Sequence, residues 1–225
     1  MVWATFSSIR YSMERHVSVF KYNTCMDKAQ AHLTNADPVL ASLISRYGDC
    51  YLEPHADYYR ELVDSIISQQ LSVKAGRTIF NRFLGLFDGR MPAPEEILAL
   101  DIEQLRQAGC SYAKAAYIKD LAGHIVDGRL DLGHIATLPN EEVIKQLVAV
   151  KGIGEWSAHM FMIFSLGRTN ILPTGDLGIR KAMMHLYGLK ELPKPPEMLS
   201  ISLQNGWEPY QSIASWYLWK SLDNS

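Results

Sequence analysis

The stretch LVAVKGIGEWSAHMF, residues 147–161, holds two glycines one residue apart, Gly152 and Gly154, with Lys151 before them and Trp156 after. The chain on either side reads as helix. Two readings suit a glycine turn between helices. The first is an ordinary αα-hairpin whose glycines only permit positive φ. In the second, backbone N–H groups at the start of the following helix meet an anion such as a phosphate, because unpaired N–H groups and the helix dipole point the same way. A Rossmann or Walker loop does not fit: no strand precedes the turn, and KGIGEW lacks a third glycine and the Lys-Ser/Thr ending. Further on, Asp176 stands directly before LGIRKAMMHLYG. A carboxylate there either caps the helix or is an ionised group favoured by the dipole, and the two roles are compatible.

The elements that must carry these residues are helical. DPVLASLISRYG has an Asp37 cap, Pro38 at the first position and Gly48 past the end. DYYRELVDSIISQQ puts Tyr59, Leu62, Val63, Ile66 and Ile67 on one face, and Ser72 caps a helix bearing Val73, Gly76, Ile79, Phe80 and Phe83. Two short helices follow, the second with Asp101 and Gln104 in capping-box positions. YAKAAYIKDLAGHIVDG ends at Gly128, NEEVIKQLVAV runs into the glycine pair and EWSAHMFMIFSLG leaves it. A helix from Asp176, the proline cluster LPKPPEMLS and the aromatic helix PYQSIASWYLWKSL close the chain. The expected class is all-α, two helical lobes with about nine or ten helices and no fixed-period repeat.

The 225 residues suffice for one large domain or two compact lobes. No apolar run approaches the ~20 residues of a membrane span, and no signal-peptide core is visible, so a cytoplasmic location (nuclear in a eukaryote) and no membrane partner are expected. Cys25, Cys50 and Cys110 form no C-x-x-C pair, which leaves no ligand set for zinc or an iron–sulfur cluster. The seven histidines show no metal-ligand spacing. A net charge of −2 and a pI near 6.4 argue against a broad basic face for nucleic acid, but not against a small patch combined with backbone amides.

LVAVKGIGEWSAHMF resembles the hairpin of the helix-hairpin-helix DNA glycosylase superfamily, and ILPTGDLGIRKA resembles the segment that carries its aspartate. SIISQQLSVKAG is similar to its DNA-wedge segment, while GCSYAKAAYIKDLA and WEPYQSIASWYLW resemble the 3-methyladenine glycosylase branch. The likeness runs over roughly residues 36–221, with the five segments in order. No β-rich N-terminal domain of the kind some bacterial members carry is expected, so their fine specificity is not carried over.

The resemblance implies a monofunctional glycosylase of base excision repair that flips N-alkylated purines (3-methyladenine, 7-methylguanine) out of duplex DNA. Asp176 would stabilise the oxocarbenium-like sugar and direct water to it. Bifunctional members carry a lysine at the position held here by Trp156, and an indole cannot form a Schiff base. Trp156 is therefore expected to wall the base pocket, where cation–π attraction favours a positively charged alkylated base, and to face Asp176 across a cleft between the lobes. Trp219 is the second pocket candidate, with Trp216 and Tyr59 assigned to the core. Gln70 falls at the wedge position, and Leu71 is the alternative.

Phosphate contacts are implied for Gly152, Gly154 and Lys151, with a possible structural Na+ or K+ on the carbonyls of Val148, Val150 and Ile153. Lys74, Arg77, Arg180 and Lys181 could complete a local basic rim. No cofactor is needed for the chemistry, and the partner would be damaged double-stranded DNA bound by a monomer. The expected organisation is an N-terminal extension (1–26), a central lobe (51–168), and a second lobe of residues 27–50 plus 169–225 carrying the Asp. Rivals are a non-catalytic DNA-binding protein that keeps the hairpin, a glycosylase for mispaired or oxidised bases, and a helical scaffold without a DNA role.

Overall fold

The computed structural model describes residues 19–222, with side chains from Met26 onward. Twelve α-helices and a short 3-10 turn, and no strand, occur among the described residues. They fall into two compact units. One is His55–Phe161; the other joins residues 19–54 to 162–222.

The first unit contains α3 (Tyr58–Ser68), α4 (Val73–Gly85), α5 (Pro94–Ala99), α6 (Ile102–Gln107), α7 (Tyr112–Val126), α8 (Asn140–Val148) and most of α9 (Glu155–Phe164). Asp57 caps α3 by accepting from the Arg60 amide, and Ser72 caps α4 by accepting from that of Ala75. The apolar stripe of α3 buries Leu62, Val63, Ile66 and Ile67; α4 adds Phe80 and Phe83. Each such side chain contributes about 1.5–3 kcal/mol when removed from water. Tyr59 is half-buried, though its hydroxyl oxygen is enclosed. A Cβ at Gly76 would lie 2.6 Å from Ser68 Oγ and 3.2 Å from Ser68 Cβ, so a larger residue would displace the Ser68 side chain where α4 approaches the end of α3. That approach fixes where the connecting turn, Ser68–Leu71, sits. Helix α7 packs on α3, α5 and α6 through Ala115, Ile118, Leu121 and Ala122.

The second unit holds α1 (Val19–Ala36), α2 (Pro38–Tyr47), α10 (Leu177–Leu186), α11 (Pro195–Gln204) and α12 (Gln211–Leu222). Every residue of α12 from Gln211 to Trp219 is buried, its polar members Gln211, Ser212 and Ser215 donating to Ser202 Oγ, the Arg168 carbonyl and the Gln211 carbonyl. Asp37, with no solvent exposure, organises this unit. Its Oδ1 accepts from the amides of Val39 and Leu40, and its Oδ2 from Tyr187 Oη at 2.6 Å and Trp207 Nε1 at 2.7 Å.

One helix departs from the sequence reading, and another was left unassigned by it. α1 starts at Val19, inside the segment taken as an extension, so a junction at 26/27 falls within a helix. Residues 1–18 of that segment lie outside the described residues. In the proline cluster, to which the sequence reading gave no conformation, Pro195 and Pro196 occupy the first turn of α11, where a missing N–H costs nothing.

Candidate active site and nucleic-acid interface

Helix α8, a turn and helix α9 form the hairpin. Leu147, Val150 and Ile153 are buried and anchor it, while Val148 and Lys151 point outward. Gly152 has φ +84°, and a Cβ there would lie 2.2 Å from the Tyr117 ring. Glycine is thus required twice over, by conformation and by space. Gly154 is different: its φ is not positive, and nothing lies within 4 Å of the position a Cβ would take. No neighbour inside the protein demands a glycine there.

The amides of the turn alternate. Lys151 N–H donates to Asp120 Oδ2 at 2.8 Å and Ile153 N–H to the Val150 carbonyl at 3.1 Å. Those of Gly152 and Gly154 find no acceptor among the described residues. The two glycines therefore present the N–H groups that remain for an outside acceptor, at the positive end of α9. The Lys151 ammonium is exposed and 3.7 Å from Asp120 Oδ1, so this residue offers a side chain rather than its amide.

The loop after α3 is a tight turn. Leu71 N–H donates to the Ser68 carbonyl at 3.1 Å, Gln69 has φ −52° and ψ 132°, and Gln70 has φ +58°. These are type II turn angles, whose third position ordinarily takes glycine. A glutamine there costs on the order of 1–2 kcal/mol. Gln70 is exposed at the apex, whereas Leu71 is half-buried. Strain accepted in order to display a side chain favours Gln70 over Leu71 as the group offered outward. The turn is held from within: Lys114 Nζ donates to the carbonyls of Ile67 and Gln69, both at 2.7 Å, and Gln69 Nε2 donates to the Gly152 carbonyl at 2.8 Å.

In the second unit, Asp176 caps α10, its Oδ1 accepting from the Ile179 amide at 2.8 Å. The same oxygen accepts from Trp219 Nε1 at 3.0 Å. Trp219 in turn stacks on Phe164, ring centroids 5.9 Å apart. Asp176 is only 5% exposed and Trp219 only 3%. A Cβ at Gly178 would come within 3.0 Å of Asp176 Oδ1 and 3.4 Å of Trp219 Cδ1. Capping alone does not explain an indole donor on a buried carboxylate; the side chain is oriented from two sides. The indole expected to wall a pocket is committed to Asp176, which makes it first a support for the carboxylate.

Trp156 is half-buried on the second position of α9. His159, on the same helix, is buried, and burial lowers its pKa while Glu155 opposes the shift. Trp216 is core, as expected. Of the proposed basic rim, Lys74, Arg77 and Lys181 are exposed, but Arg180 Nε is spent on the Pro193 carbonyl at 2.9 Å. No group of three or more His, Cys, Asp or Glu side chains suited to a metal occurs among the described residues. The sequence did not single out Gly178, Lys114, Tyr117 and Asp120, and it offered Gln69 only as part of the wedge segment. Lys114, Tyr117 and Asp120 recur every third residue along α7, a spacing that marks one side of a helix and could have singled them out.

Residues 63–209 match the family model described as HhH-GPD superfamily base excision DNA repair protein. The chain belongs to this superfamily. Its hairpin, the Ser68–Leu71 turn and Asp176 all lie inside the matched span. The chain is 36% identical to DNA-3-methyladenine glycosylase 1 of Schizosaccharomyces pombe, over 88% of each chain. Among solved structures, this HhH-GPD protein is similar to a 3-methyladenine DNA glycosylase of S. pombe in complex with abasic DNA, with TM-score 0.74 and 35% identity over 87% of this chain and 97% of that one. It is also similar to a DNA-3-methyladenine glycosidase from Bacillus halodurans, with TM-score 0.78 and 36% identity over 86% and 88% of the two chains.

Proposed function

We propose that this HhH-GPD protein is a monofunctional DNA glycosylase of base excision repair that extrudes N-alkylated purines from duplex DNA and hydrolyses their bond to the sugar. The observation that carries the reading is the buried Asp176 carboxylate, oriented by the Ile179 amide and the Trp219 indole. The relatives named 3-methyladenine glycosylases support the substrate class.

In the reaction, the C1′–N bond breaks and the base leaves with the bonding electrons. Asp176 stabilises the positive charge that develops on the sugar, and it orients a water and accepts its proton as the new C1′–O bond forms. An alkylated purine that is already cationic leaves without prior protonation. Trp156 offers the extruded base an aromatic face, favourable to such a cation. Gln70 fills the gap left in the stack. Gly152 and Gly154 amides, with the Lys151 ammonium, hold a phosphate. The protein acts as a monomer.

Trp156 also underlies the expectation of no strand cleavage, since its nitrogen is a donor only. A structural Na+ or K+ on the carbonyls of Val148, Val150 and Ile153 fits the turn. Val148 ends α8, so its carbonyl has no partner within the helix, and Val150 O accepts one bond from Ile153 N, which leaves it a second lone pair. Such an ion would brace the turn and take no part in the chemistry.

The test is incubation of the purified protein with methylated duplex DNA, measuring free bases beside Asp176→Asn. Release of 3-methyladenine or 7-methylguanine by the wild type and its loss in the variant are expected. No release would sink the substrate claim, and equal release by both proteins would sink the role of Asp176. Borohydride should trap no protein–DNA adduct; a trapped adduct would overturn the monofunctional assignment.

A further inference from the structure

One helix touches both the wedge turn and the hairpin. Along α7, the Lys114 ammonium bridges the carbonyls of Ile67 and Gln69, the Tyr117 ring lies against Gly152, and Asp120 accepts from the Lys151 amide. The Gln69 side chain closes the circuit by donating to the Gly152 carbonyl. The bond to Gln69 O bears on the turn directly. Type I and type II turns differ by a flip of their central peptide, here the one joining Gln69 to Gln70. In type I the residue at the Gln70 position leaves the left-handed region, which relieves its strain and re-aims its side chain. A charged donor fixed on the Gln69 carbonyl holds the peptide in the less comfortable orientation. Lys114 is well placed for this, since it is half-buried and its donors are directed at two carbonyls rather than at a carboxylate.

We propose that Lys114 is a positioning residue for base extrusion: it locks the Gln69–Gln70 peptide so that Gln70 stands at the apex of the turn, and together with the Gln69–Gly152 bond it makes the wedge and the phosphate grip a single rigid part. The proposal rests on the glycosylase reading above. Lys114 touches neither the base nor the sugar and acts through Gln70. Its loss therefore affects the step in which a paired base leaves the stack, and spares the steps that follow.

The test compares single-turnover excision of 7-methylguanine from a fully paired duplex with excision of the same lesion opposite an abasic position, where little pairing has to be broken. For Lys114→Met, the paired substrate should lose about tenfold or more, the worth of one charge-assisted hydrogen bond. The lesion opposite the abasic position should stay within about threefold, and so should the half-saturating duplex concentration. Gln70→Ala should give the same split, and Lys114→Arg should recover most of the rate.

Equal loss on both substrates with no rescue by arginine would make Lys114 a support for the fold and overturn the proposal, as would an unchanged rate in Lys114→Met. If Lys114→Met does not fold, Gln69→Ala, which cuts only the tie to Gly152, must show the split; an even loss there overturns it. Failure of the underlying reading looks different. A wild type that releases no base overturns both, whereas a split in Gln70→Ala without one in Lys114→Met overturns the role of Lys114 alone.

Discussion

Trp219 Nε1 and Ile179 N converge on one oxygen of Asp176, at 3.0 Å and 2.8 Å. The cap bond is set by the backbone of α10, so the indole is the adjustable partner. Trp219→Phe keeps a ring to stack on Phe164 but removes the donor. Excision of an alkylated purine should fall by about tenfold in a single turnover, with little change in duplex affinity. Loss of affinity in proportion to rate would show that Trp219 matters for packing rather than for the carboxylate.

The two hairpin glycines should separate when each is changed to alanine. At Gly152 a Cβ collides with the Tyr117 ring and φ is +84°, so Gly152→Ala should destabilise the protein by about 2–3 kcal/mol or more. Gly154→Ala meets nothing within 4 Å and keeps an ordinary φ, so its melting temperature should match the wild type. It should nonetheless weaken duplex binding, because the added methyl stands beside an amide that faces outward. Thermal melts and a titration with duplex DNA check both. Wild-type affinity in Gly154→Ala would count against the phosphate grip.

Glu61 gives a stability term with a definite sign. Burial, then the charge of Asp64, with Arg60 opposing and Asp57 adding, raises its carboxyl from 4.5 to about 7. Asp64 is raised as well, again mainly by burial. Between those pH values the folded chain holds a proton that the unfolded chain has released. The contribution is fully present below about 4.5 and is lost as pH rises through about 7. Glu61→Gln should therefore flatten the fall in urea midpoint over that window. An unchanged slope in the variant would refute the assignment.

How much could be read in advance depended on whether a residue acts through its own neighbours in sequence. Asp37, Ser72 and Asp176 were legible as caps because the bond they make spans two or three residues. The stripe of α3 was legible because its period is local. Lys114 was not, since its partners lie 47 and 45 residues back and a lysine on a helix ordinarily reads as a solvated charge. Trp219 was linked to the site by resemblance, but its bond to Asp176 spans 43 residues and had no local signal. Gln70 was named as a wedge without its left-handed backbone being foreseen, because glutamine is not a residue that announces such a turn. Pro195 and Pro196 open a helix that the sequence reading left unassigned, because a proline pair marks a helix start and a loop alike.

The second half of Asp37's work was hidden in the same way, and it yields the last prediction. Its cap bonds to Val39 and Leu40 are local, but Tyr187 Oη and Trp207 Nε1 reach it from 150 and 170 residues away. Burial, followed by the hydrogen bond to Asp37, pushes the Tyr187 hydroxyl far above its ordinary pKa, so it remains a donor. Asp37→Ala would leave the buried Trp207 indole and the half-buried Tyr187 hydroxyl without this acceptor, and α2 without its cap. The stranded indole costs about 1–3 kcal/mol, the half-buried hydroxyl about 1 kcal/mol and the lost cap about 1 kcal/mol. The variant should lose on the order of 3–5 kcal/mol in a denaturant titration, a large part of a typical folding free energy. Asp37→Asn keeps two lone pairs on one oxygen and should lose clearly less. Equal losses in the two variants would mean that the charge, and not the accepting geometry, holds this unit together.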